Sequence, residues 1–87
     1  MKLITTSPGT YRVEIAEVRG TGGQWFARIV HADGERAGWT ICWDRMHGAR
    51  DAHAAQAMIG VCGRARIELA QRGTTEFLRV AEWEVAQ

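Results

Sequence analysis

Proline, cysteine and lysine are all scarce in this 87-residue chain, which holds one, two and one of them respectively. The single proline lies in Ser7-Pro8-Gly9, a breaker that launches the first regular segment. Two cysteines, Cys42 and Cys62, are too few for a disulfide framework, and reduced, half-buried thiols are expected. No apolar run approaches the roughly 20 residues that span a bilayer. The opening MKLITTSPG has no apolar stretch of the kind that marks a secretory signal. A cytoplasmic protein with no membrane partner is the expectation. Net charge is only +1, which argues against strong bulk attraction to nucleic acid. The near absence of lysine leaves arginine as ten of the eleven basic residues. Arginine forks onto phosphate and stacks on bases better than lysine does, although a GC-rich coding sequence gives the same bias.

What is present reads as one globular domain over residues 1–87, with 46% apolar and 24% charged residues. A chain this short buries somewhat more than ~60% of its unfolded surface, enough for a small barrel but not for a two-domain enzyme. The stretch Gly48 to Gly63, GARDAHAAQAMIGVCG, is the one good helix candidate. It is rich in alanine, Asp51 can cap its first turn, and Gly60 stands where a helix stops. Ala52, Ala55, Met58, Ile59 and Cys62 recur at helical spacing and define its apolar face.

Three strand-like runs precede this helix and two follow it. Thr10 to Arg19 alternates with Tyr11, Val13 and Ile15 on one face. Gln24 to His31 sets Trp25, Ala27 and Ile29 against Phe26, Arg28 and Val30. Gly38 to Asp44 sets Trp39, Ile41 and Trp43 against Thr40 and Cys42. Arg64 to Gln71 alternates Ala65, Ile67 and Leu69 with Arg64, Arg66 and Glu68. Glu76 to Val85 puts Leu78 and Val80 opposite Phe77, Arg79, Ala81, Trp83 and Val85. Turn signals at Gly20–Gly23, Asp33-Gly34 and Arg72–Thr75 separate these runs. Five strands with one helix between the third and fourth predict a mainly β fold, a small five-stranded oligonucleotide-binding (OB) type barrel with the helix plugging its bottom.

The wording of the chain adds a resemblance. PGTYRVEIAEV, a glycine turn, a strand leading to ADGERAGWTI, and Ile59-Gly60 running into Gly63-Arg-Ala-Arg-Ile67 resemble phage-type OB single-stranded-DNA-binding proteins. The resemblance covers about residues 8 to 85; the chain departs from it in being shorter before the helix and in lacking clustered lysines. It implies the same barrel and non-enzymatic binding of single-stranded nucleic acid, DNA in the first place.

Four tryptophans, Trp25, Trp39, Trp43 and Trp83, are many for this length. Indole suits both a base-stacking platform and a small core. Trp25 and Trp39, sharing faces with Ile29 and Ile41, are expected in the core. Phe26 beside Arg28, and Phe77 beside Arg79, set an aromatic next to a cation on one strand face, as single-strand binding requires. The expected binding residues are therefore Phe26, Arg28, Trp43, Arg64, Arg66, Phe77 and Arg79. Aromatics would stack and arginines would hold phosphates, with Thr21-Gly22-Gly23 and Gly73-Thr74-Thr75 bounding the groove. Pairing of the same arginines with Glu68, Glu76 or Glu82 on a solvated face is the competing reading.

Chemistry has little footing. No nucleophile elbow, P-loop, H-E-x-x-H or dinucleotide fingerprint occurs, so no enzyme activity and no cofactor are expected. Cys42, His47, His53 and Cys62 carry zinc-type donors, but intervals of four, five and eight residues contain no C-x-x-C knuckle, and no metal is expected. Cys42, His47 and Asp51 could be drawn as a triad, yet a cysteine flanked by tryptophan is more often packed than activated. The rival function is a phage or mobile-element accessory protein that binds and inhibits or recruits another protein, since arginine and tryptophan are common interface hot spots. Self-association into a homodimer is left open.

Overall fold

The computed structural model describes residues 6–85. Its elements are β1 (Gly9–Thr21), β2 (Gln24–His31), β3 (Thr40–Arg45), α1 (Ala52–Gln56), β4 (Cys62–Arg72) and β5 (Thr75–Val85). The strands form one antiparallel sheet in the order β3-β2-β1-β4-β5.

β1 makes the sheet curl. Its first half pairs with β4, from Gly9 opposite Ile67 to Glu14 opposite Cys62. Its second half pairs with β2, from Val13 opposite His31 to Thr21 opposite Gln24. The two outer strands, β3 and β5, thereby approach each other without forming a ladder. Asp44 bridges them: its Oδ2 accepts from the Val80 backbone N–H at 2.6 Å, and its Oδ1 accepts from the Arg45 N–H at 2.8 Å. The result is a mainly β, five-stranded OB-like barrel with one short helix between β3 and β4, open along the β3–β5 seam.

Three bulges decide which side chains face inward. Each adds one residue to a strand: Ala16 in β1, Ile41 in β3 and Ala81 in β5. A single extra residue reverses the two-residue side-chain alternation beyond it. Ile41 and Cys42 consequently both pack on the core, while Trp43 turns outward beside Arg28. Trp83 does the opposite, leaving the expected face of Phe77 and Arg79 to pack inward with Leu78 and Val80. Simple alternation places Trp43 with Ile41, and Trp83 with Phe77; the bulges reverse both.

The core consists of Val13, Ile15, Ala27, Ile29, Ile41, Ala65 and Ile67, ringed by Tyr11, Val18, Met46, Met58, Leu78, Val80 and Trp83. Two glycines make room for indole rings. A Cβ at Gly20 would lie 2.9 Å from the Trp25 ring, and one at Gly63 would lie 2.9 Å from Trp83 and 2.5 Å from the Glu84 carbonyl. Trp39 is not core as its alternation suggested: it sits in the turn before β3 and is 49% exposed.

The helix is far shorter than the alanine-rich stretch predicts, five residues in place of most of Gly48–Gly63. Asp51 does cap it, accepting from the Ala54 N–H at 2.8 Å. Pairing to β1 ends it: Gly60 N–H donates to the Ile15 carbonyl at 2.8 Å, and Ile15 N–H donates to the Val61 carbonyl at 3.0 Å. Tertiary pairing overrides propensity here. Ala55 is fully buried and Met58 packs on the core, but Ile59, expected on the same face, is 48% exposed. Among the described residues no helix is long and apolar enough to cross a membrane.

Met58→Asp should lower stability by several kcal/mol, because a charge entering an apolar core lacks a partner. Ile59→Asp should stay within about 1 kcal/mol of the parent, since its side chain already meets water. Urea midpoints of the two variants check this difference.

Candidate nucleic-acid interface

The outer face of β1, β2 and β3 gathers side chains from all three strands. In the ladders, Arg19 stands opposite Phe26, Phe26 opposite Arg45, and Arg28 opposite Trp43. Arg28 is held at two points: its Nε donates to Glu17 Oε2 at 3.1 Å and a terminal nitrogen donates to Thr40 Oγ1 at 2.9 Å. Arg19 lies 3.6 Å from Glu17 Oε1, and its guanidinium carbon sits 5.0 Å from the centre of the Trp43 ring. That spacing is a cation–π contact. Glu17 therefore ties two arginines to a patch that also carries Phe26 and the 38%-exposed Trp43.

The remaining expected residues belong to the outer face of β4 and β5. Arg64 stands opposite Glu84, Arg66 opposite Glu82, Arg79 opposite Glu68 and Phe77 opposite Ala70. Arg66 pairs with Glu82 at 3.3 Å and with Glu68 at 3.7 Å, and Arg79 pairs with Glu68 at 3.2 Å. Arg64 makes no ion pair among the described residues. Phe77 and Trp43 both line one groove at the seam. So Phe26, Arg28 and Trp43 share one surface, Phe77 adjoins it, and Arg64, Arg66 and Arg79 form a separate ladder laced with glutamates.

Comparison with protein-family models, with curated proteins and with solved structures gives no match to this chain. The chemistry of the surface has to be argued from its own residues.

Arg19 is the functional candidate that alternation concealed. Counted from Tyr11 in steps of two, position 19 falls on the inner face; the Ala16 bulge turns it outward with Glu17. A legible clue existed, since uninterrupted alternation would drive both Glu17 and Arg19 into the core. The glycine turns are also smaller than loops that close over a ligand. Gly22 and Gly23, with φ of 60° and 80°, make a two-residue hairpin tip between paired Thr21 and Gln24. Gly73 and Thr74 do the same between Arg72 and Thr75.

Reactive and metal-binding groups are kept apart. Burial, and secondarily the Asp44 charge, push the Cys42 thiol up to about 12, so it stays protonated at neutral pH. Asp51 is engaged as the helix cap, and His47 and His53 are exposed. Cys62 Sγ lies 3.8 Å from Glu14 Oε1, at the opposite edge of β1 from β3. Among the described residues no three His, Cys, Asp or Glu side chains converge to hold a metal ion.

His31 has a structural position beside this surface. It is 6% exposed, shares a hydrogen bond of 2.9 Å with Thr6 Oγ1 through Nε2, and meets the Tyr11 ring edge-on at 5.2 Å. Burial, reinforced by Arg36 and partly opposed by Asp33, lowers its pKa below 6.5. The folded protein thus binds that proton less readily than the unfolded chain, and stability must fall as pH drops below about 6.5. Urea midpoints should decline between pH 7 and pH 5, and His31→Gln should flatten that decline even if it lowers the pH 7 value.

Proposed function

We propose that the protein binds single-stranded nucleic acid, DNA in the first place, without performing chemistry on it. The observation that supports this reading is the convergence of Arg19, Phe26, Arg28 and Trp43 on the outer face of β2 and β3, the face that OB-type barrels use for oligonucleotides. Bases stack on Phe26 and Trp43, each such contact being worth ~1–3 kcal/mol. Arg28, pre-oriented by Glu17 and Thr40, keeps N–H groups for a phosphate. Arg19 leaves the Trp43 ring for a phosphate as a base takes its place. A strand crossing the seam meets Phe77 next and then Arg79, Arg66 and Arg64. Their glutamate partners make that second stretch the weaker one.

A second reading, an accessory protein of phage or mobile-element type that inhibits or recruits another protein, is favoured by the ion-paired β4–β5 face. Interspersed charges of both signs suit a protein rim better than a polyanion.

A labelled thymidine oligonucleotide of about 15 nucleotides, of the order of one OB site, should bind with micromolar affinity and a shallow salt dependence. Phe26→Ala or Trp43→Ala should weaken binding by about tenfold with little change of salt slope, because stacking releases no counterions. Arg19→Ala with Arg28→Ala should lower both affinity and slope, and more so than Arg64→Ala with Arg66→Ala. Glu17→Gln should raise both by releasing two arginines. Absence of binding at low salt and high protein concentration sinks the nucleic-acid reading and turns attention to protein capture.

A further inference from the structure

The β3–β5 seam holds a groove of about 570 Å³ on the side of Trp43, within the size range of small-ligand clefts. Ile41, Cys42 and Trp43 form one wall, Leu69, Phe77 and Leu78 the other, and Thr6 and Pro8 lie along it. The lead-in is fixed in place by the Thr6–His31 hydrogen bond and by donation from the Tyr11 hydroxyl to the Ser7 carbonyl. Two aromatic side chains thus border an apolar slot, and the slot is continuous with the proposed binding face through Trp43.

Charge decides what fits there. Among the described residues Glu76 is the only charged one lining the groove, and it makes no ion pair with any of them. No arginine lines it. A phosphate would enter an apolar slot facing the Glu76 carboxylate, whereas a base would bring a flat apolar ring and, in some bases, an amino group. A carboxylate accepts from the cytosine N4 amino group, while thymine presents an O4 acceptor at the same position. We propose that the seam groove is a base pocket, in which Trp43 and Phe77 stack on a nucleobase and Glu76 selects amino-bearing bases, cytosine over thymine. This rests on the single-strand-binding reading and adds to it a base preference and the residue that sets it.

The test compares oligodeoxycytidine and oligothymidine of about 15 nucleotides on the full chain and on Glu76→Gln, at pH 7.5 and fixed salt. The parent should hold the cytidine strand about tenfold tighter. Glu76→Gln, whose amide presents a donor as well as an acceptor, should weaken cytidine binding, spare thymidine binding and bring the ratio close to one. Circular dichroism of the variant should match the parent, because Glu76 is exposed on a strand end. Equal affinities in the parent, or a preference that survives Glu76→Gln, would overturn the pocket while leaving the single-strand reading intact. Failure of both oligonucleotides to bind overturns the two together.

Discussion

A carboxylate does the work of a missing strand pairing in this protein. Curling a five-stranded sheet brings its two edges face to face, and each edge strand carries backbone groups with no ladder partner. Asp44 accepts the Val80 N–H and so joins β5 to β3 at one point. A charge-assisted bond of this kind outweighs an ordinary amide pair, and it is short enough to fix the distance between the strands. Because the edges touch there and do not pair along their length, the seam stays open on the Trp43 side. The groove between Trp43 and Phe77 exists for that reason.

Bulges, more than composition, assign side chains to their tasks. Ala16 turns Glu17 and Arg19 outward, Ile41 turns Trp43 outward, and Ala81 turns Trp83 inward. Removing any one would reverse the face of everything beyond it, exchanging a core indole for an exposed one or a surface arginine for a buried one. The same geometry sets the electrostatics. Glu17 holds Arg19 and Arg28, and Glu68 holds Arg66 and Arg79, so four of the ten arginines share just two carboxylates. Any polyanion has to compete with those carboxylates, so the proposed binding draws mainly on stacking.

Strand order and the place of the helix were legible because periodicity and glycine turns are local signals. The Asp51 cap was legible for the same reason. Helix length was not, since the bonds from Gly60 and Val61 to Ile15 link residues far apart in the chain. Phe26 and Arg28 could be placed together from β2 alone, which carries no bulge between them. Arg19 was hidden, and Trp43, though named for binding, shared a face with Ile41 on strict alternation, because each lies beyond a bulge. The pairing of Arg66 and Arg79 with Glu68 was foreseeable in kind, whereas the lack of an ion pair at Glu76 among the described residues required the fold.

The claim that the outer face of β2 and β3 receives a single strand is tested most directly by amide and indole NMR shifts during titration with an oligonucleotide. The account predicts the largest changes at Arg19, Phe26, Arg28 and Trp43, including the Trp43 indole N–H, with smaller ones spreading across the seam to Phe77. The inward-packed Trp83 indole and the helix at Ala52–Gln56 should stay near their starting positions. Shifts centred on the β4–β5 ladder or on the helix, with Phe26 and Trp43 unmoved at saturation, would contradict it.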